Sequence, residues 1–259
     1  MSRLIYQVYV GQKSKLYDHC TQSVEDYAKR IGADYICQTT PILMIKPDPF
    51  TTGRSKEAVD RLGYLPIFEK ENAFDYLNEY DEICIIDSDV YIRPETQANV
   101  FNQFWRGAVF SASIEAFMPI TPQYKRKIIG YSEMQYGSIF PKLGISRTEN
   151  GYPFANMGVM LFNKGVRDYM KANSAREFIQ RPEFKPFVDG VGAFKWSTDQ
   201  TLLNTWLRLD GVPWNHLDWR FNGLYGANTN IKECHFVHFF LKDKLPNRGE
   251  NVSELMKGI

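Results

Sequence analysis

With 259 residues the chain can bury a sizeable core, and we read it as one α/β domain, residues 1–259. Its formal net charge is +1, with basic and acidic residues almost balanced, which excludes a nucleic-acid polyanion or an anionic membrane surface as the main partner. Recognition must then be local, and the aromatic share of 15% supplies rings for stacking on bases or sugars as well as for the core.

Cys20, Cys37, Cys84 and Cys234 show no short-range pairing, which predicts reduced packing residues with neither a disulfide framework nor a zinc site. No stretch approaches the roughly 18 apolar residues of a membrane span, so we expect no transmembrane segment and a cytoplasmic protein.

In chain order, Leu4 to Val10 reads as a strand, followed by the polar loop Gly11 to Lys15. Leu16, Cys20, Val24, Tyr27, Ala28 and Ile31 share one helical face, and Gly32 supplies the stop. Asp34 to Gln38 is a second strand, completing a β-α-β unit with a parallel pair. Pro41 to Arg54, rich in Pro, Thr and Gly, reads as a loop able to fold over substrate. Leu65 to Asn78 carries Phe68, Ala73, Phe74 and Leu77 at helical spacing. It leads into Glu82-Ile83-Cys84-Ile85-Ile86-Asp87-Ser88-Asp89, an unbroken apolar run that ends in two carboxylates. Such a run predicts a strand buried on both faces, and ligands of open α/β sheets gather at strand C-termini. Carboxylates at i and i+2 of an extended chain point the same way and repel unless a cation or a proton lies between them. A divalent metal resolves that conflict, and hard oxygen ligands suit Mg²⁺ or Mn²⁺.

Ala108 to Ser113 predicts a further strand, and Glu115 to Asn150, rich in Tyr, Lys, Pro and Gly, a set of excursions of the kind that carry specificity. In Phe154 to Asn163, Gly158 permits close backbone approach, Val159 to Phe162 form a strand, and Asn156 at its edge offers a donor and an acceptor to a polar ligand. Trp196 to Asn204 opens an amphipathic helix, with Ser197 as N-cap and Gln200 completing a capping box. Trp214-Asn215 and Trp219 to Asn222 read as turns. In the final extended segment, Cys234 to Leu241, His235 and His238 lie on opposite faces, so only one of them can join a metal site.

The segments around Asp87-Ser88-Asp89, Asn156-Met157-Gly158-Val159, Asp199-Gln200 with Leu203-Asn204, and His238 with Lys244 follow one another as in GT-A-fold nucleotide-sugar glycosyltransferases. They resemble in particular glycosyltransferase family 8, the glycogenin and lipopolysaccharide galactosyltransferase type. The resemblance spans about residues 65 to 246. It implies a three-layer α/β sandwich with a mainly parallel mixed sheet, residues 1–110 forming a nucleotide-binding half and 111–259 an acceptor and sugar half. It further implies Asp87, Asp89 and His238 as ligands of Mn²⁺ or Mg²⁺, with Lys70, Lys244, Tyr17 and Ser88 facing the donor. Asn156, Asp199 and Gln200 would lie beneath the reacting sugar. The implied reaction moves a hexose from a nucleotide diphosphate sugar, a UDP-sugar first, to a sugar or other hydroxyl acceptor with retention of configuration. A front-face route and a nucleophilic Asp199 both fit.

Two other readings stand beside it. A phosphatase of the haloacid-dehalogenase type also has an apolar strand ending in Asp-x-Asp, although here a complete β-α-β unit precedes that strand. A non-catalytic sugar-binding module of the same fold has no need of a metal triad.

Overall fold

The computed structural model describes residues 1–11, 13–48, 53–105 and 107–259. Gln12 of the expected polar loop and residues 49–52 of the loop expected to fold over substrate lie outside them.

Six strands form the central sheet: β1 (Arg3–Val8), β2 (Asp34–Gln38), β3 (Glu82–Ile86), β5 (Phe110–Ile114), β6 (Ala155–Asn163) and β7 (Trp214–His216), in the order β2-β1-β3-β6-β5-β7. Three short strands, β4 (Val90–Ile92), β8 (Gly223–Leu224) and β9 (Phe236–His238), form a second sheet in the order β4-β9-β8. In the large sheet the β1·β2, β1·β3 and β5·β7 pairs are parallel, and β6 alone runs against its neighbours β3 and β5. The architecture is a mixed α/β sandwich with a mainly parallel central sheet.

The alternation of side chains explains why β3 is continuously apolar. Ile83 and Ile85 join Leu4, Tyr6, Phe162 and Trp206 on one side of the sheet, while Cys84 and Ile86 join Ile5, Val159 and Leu161 on the other. Both faces are covered, so neither parity of the strand can be polar. The helix Lys15–Ile31 buries Leu16, Cys20, Val24, Tyr27 and Ala28, the predicted stripe, and ends at Gly32, whose φ of 69° is left-handed. Among the described residues no helix is long and apolar enough to cross a membrane.

Three expectations need correction. Pro66–Asn78 is wound as a 3₁₀ helix rather than an α-helix. Phe68, Glu69, Glu71, Asn72, Ala73 and Phe74 are all buried, so there is no single stripe of 3.6 period, and the Glu69 carboxylate is drawn inward to accept from the backbone N–H groups of Ile42, Leu43 and Met44. Trp214 and Asn215 are not in a turn: they belong to β7, the edge strand alongside β5. The N-cap of the helix Asp199–Leu209 is Thr198, whose N–H donates to Thr201 Oγ1 at 3.3 Å, in place of the expected Ser197 and Gln200 pair.

Candidate active site

β3 ends at Ile86 and the chain turns at once. Asp87 N–H donates to Gly158 O at 2.8 Å, and Val90 N–H closes the turn on Asp87 O at 3.1 Å. β4 then pairs with β9 so that Val90 faces His238, and Phe239 N–H donates to Asp89 O at 2.9 Å. Residues 149 positions apart in sequence, Asp89 and His238, are therefore held together by a strand register. His238 Nε2 lies 3.2 Å from Asp89 Oδ1, and potential ligand atoms of Asp87, Asp89 and His238 all lie within 4.8 Å of one another. His235 packs against Phe221, away from this group.

His238 Nδ1 is 3.0 Å from Asn222 Oδ1. The amide oxygen can only accept, so this contact places a proton on Nδ1 and turns Nε2 toward Asp89. Two carboxylates and a neutral imidazole suit Mn²⁺ or Mg²⁺ on donor chemistry. The fit is supported by Asp89 Oδ1, a buried oxygen whose neighbour in this group is the His238 ring.

Lys70 is the main positive charge of the site. Its Nζ lies 2.9 Å from Asp87 Oδ1, 2.8 Å from Asp199 Oδ2 and 2.9 Å from Met157 O. Burial works against its charge, but Asp199 and Asp87 outweigh it and hold the ammonium protonated. At Asp87 burial wins: its carboxyl is pushed above the usual range despite Lys70, with Asp89 adding to the rise. At Asp89 burial pushes the same way, but the His238 ring overcomes it and holds the carboxyl low. Burial, and then the charge of Asp199, push Glu71 well above its ordinary value, and both of its oxygens are buried without a hydrogen-bond partner. The sequence reading missed Glu71; nothing local distinguishes it from a surface Glu of a helix.

The floor is built by β6 and the helix Asp199–Leu209. Asn204 fastens them, accepting from Ala155 N–H at 2.8 Å and donating to Ala155 O at 2.7 Å. Gln200 accepts from Met157 N–H at 3.2 Å and donates to the Tyr131 hydroxyl at 3.3 Å, so its side chain lies in the site and not at the cap. Asn156 is more committed than expected. Its Nδ2 donates to Glu115 at 2.7 Å, while its Oδ1 accepts from Asn222 Nδ2 and from Gly158 N–H, both at 2.9 Å. A chain of hydrogen bonds thus runs from Glu115 through Asn156 and Asn222 to His238.

Two cavities flank the Lys70, Asp87 and Asp199 ridge and share all three residues. The larger, about 360 Å³, also takes in Glu115, Asn156, Gly158, Gln200 and His238. The smaller, about 280 Å³, is lined by Val8, Val10, Pro66, Ile67, Ser88 and Asp89. Tyr17 borders the metal group electrically: burial raises its hydroxyl, with Asp89 and Asp87 adding to the rise, and Lys242 sits 4.7 Å over its ring. Lys244 is exposed on the turn Lys242–Lys244 and is not among the described residues lining either cavity. Glu115 and Asn222 were also missed as site residues. For Glu115 the signal existed, since it is an acid directly after a buried strand, the rule that drew attention to Asp87.

No protein-family model and no curated protein matches the sequence. Among solved structures, mouse xyloside xylosyltransferase 1 in its apo form aligns over 95% of this chain and 100% of its own at 14% identity, with a TM-score of 0.51. A glycosyltransferase involved in glycosylation of the major capsid of PBCV-1 covers 99% of this chain and 100% of its own at 12% identity and a TM-score of 0.49. The likeness to the mouse protein, together with the sheet order, shows the GT-A fold.

Proposed function

We propose that this protein is a metal-dependent glycosyltransferase of the family-8 type, moving a hexose from a nucleotide diphosphate sugar, a UDP-sugar first, to a hydroxyl acceptor with retention of anomeric configuration. The observation that carries the reading is the Asp87, Asp89 and His238 group at the C-terminal end of β3, inside a GT-A fold and open to two cavities. The mouse structural neighbour is itself named a xylosyltransferase.

In this reading Asp87, Asp89 and His238 hold Mn²⁺ or Mg²⁺, which when bound supplies Lewis-acid charge against the diphosphate. The smaller cavity, with Ser88 at its wall and Val8, Val10 and Ile67 as its apolar lining, receives the nucleotide end of the donor. Tyr17 borders that end. The donor sugar projects over Asp199 and Gln200 into the larger cavity. Lys70 keeps Asp199 and Asp87 apart as charges and adds positive potential beside the departing phosphate. Gln200, held at both ends of its amide, orients the sugar, and Asn156 acts by fixing Asn222 and through it His238. Lys244 serves as a second cation on the diphosphate if the turn after β9 folds over the donor. Retention is what the family resemblance implies.

Thermal-shift screening of nucleotide sugars with Mn²⁺ tests the reading, because a bound donor stabilises in proportion to its excess over Kd. A UDP-sugar is expected to raise Tm with Mn²⁺ and not with EDTA. Equal shifts with and without the metal refute the metal role, and an inverted product seen by NMR refutes retention.

A further inference from the structure

Among the described residues lining the larger cavity, one acid has no ion-pair partner. Asp87 and Asp199 are bound by Lys70, whereas the hydrogen bonds to the Glu115 carboxylate, on a residue 5% exposed, come from neutral groups: Asn156 Nδ2 at 2.7 Å and the hydroxyl of Tyr124. Beside it the cavity wall is apolar and aromatic. Tyr124, Ile128 and Tyr131 face it from the helix Pro122–Tyr136, and Phe240 and Leu241 from the segment after β9. If the donor runs from the metal group over Asp199 and Gln200, this wall is what remains for a second substrate.

We propose that the larger cavity is the acceptor site for a neutral pyranoside, and that Glu115 accepts a hydrogen bond from a hydroxyl of that acceptor. The proposal rests on the glycosyl-transfer reading above. A sugar ring presents an apolar C–H face, which suits the Tyr124 and Tyr131 rings, and a rim of hydroxyl donors, which suits a carboxylate with spare lone pairs. A phosphorylated acceptor would bring a dianion to a buried carboxylate, with Lys127 at the rim as the one additional cation among the described lining residues. At about 360 Å³ the cavity lies at the small end of ligand sites, roughly 300–1,000 Å³, which favours one or two rings over a folded peptide segment. Burial lifts the Glu115 carboxyl to about 7, against the pull of Asn156, His238 and Tyr124, so the accepting form is populated at and above neutral pH.

The test measures nucleotide release from a UDP-sugar with Mn²⁺, with and without a panel of methyl pyranosides, sugar phosphates and seryl or tyrosyl peptides. At least one neutral methyl pyranoside is expected to stimulate release, and Glu115→Gln to raise that pyranoside's KM by about tenfold and lower the ratio of transfer to donor hydrolysis. The Mn²⁺ and UDP-sugar melting shift of Glu115→Gln verifies that the variant is folded. Leu241→Trp, at an exposed position of the cavity mouth, supplies a second variant that leaves every buried group in place and is expected to blunt the pyranoside response. A KM for Glu115→Gln within about twofold of wild type, stimulation by sugar phosphates or peptides alone, or no stimulation by any compound overturns the proposal. Absence of any Mn²⁺-dependent melting shift or nucleotide release overturns the transfer reading itself.

Discussion

Two buried charge clusters in this protein solve the same electrostatic problem in opposite ways. Around Asp210, whose side chain is 1% exposed, Arg181 Nη1 and Lys171 Nζ each approach a different carboxylate oxygen at 2.6 Å. Arg181 also reaches Met170 O and Glu183. Burial there is outweighed by Arg181 and Lys171, and Asp210 ionises below its ordinary range. Around Asp87 the acids Asp89, Asp199 and Glu71 crowd against Lys70 and His238, and Asp87 ionises above its ordinary range. The first cluster is closed at its acid, with a cation on each oxygen of Asp210. The second carries surplus negative charge toward two cavities, a stored need for a cation that a purely structural ion pair does not have.

The comparison can be broken most directly at its two carboxylates. Asp87→Asn should lower transfer by roughly a hundredfold to a thousandfold while leaving the metal-free protein as stable as wild type or more so, measured by nucleotide release and by urea unfolding in EDTA. If Asp87→Asn instead unfolds the protein, the site cluster is structural and the contrast fails. Asp210→Asn should do the reverse, costing about 3 kcal/mol of stability in urea with turnover per folded molecule retained. Because the folded-state value of Asp210 is depressed, its contribution is present above the unfolded value and is lost as pH falls through the folded one. The stability gap between wild type and Asp210→Asn should therefore narrow in acid below about pH 4.

Gly158→Ala sharpens the contrast from the backbone side. A Cβ there would stand 2.3 Å from His238 Cε1, so the imidazole must shift, and Mn²⁺ affinity by titration should fall roughly 10- to 100-fold. Unchanged Mn²⁺ affinity would remove His238 from the ligand set. Smallest is Gln200→Ala, expected to reduce turnover about tenfold with little change in donor affinity, since Gln200 orients and carries no charge. A lowered Tm with intact turnover would reduce Gln200 to a bridge between Met157 N–H and the Tyr131 hydroxyl.

What the sequence by itself determined is what neighbours along the chain can decide. The stripe from Leu16 to Ala28 and the stop at Gly32 were legible because a helix packs positions three and four apart. β3 and β6 were legible because covering both faces of a strand leaves no polar parity, and the two carboxylates after Ile86 follow from the end of that run. The GT-A fold was implied by the resemblance of those motifs to nucleotide-sugar glycosyltransferases. The choice of His238 over His235 came from the family resemblance, and the register of β4 with β9 places His238 beside Asp89. Only the tertiary structure decided that Lys70 lies between Asp87 and Asp199, that Asn156 is spent on Glu115, Asn222 and Gly158, that Thr198 rather than Ser197 caps its helix, and that Lys244 stands exposed on its turn. Those outcomes are competitions for partners among groups from 2 positions apart, as Asn156 and Gly158, to 129 apart, as Lys70 and Asp199, and a donor or charge in sequence carries no record of which acceptor packing will bring near it.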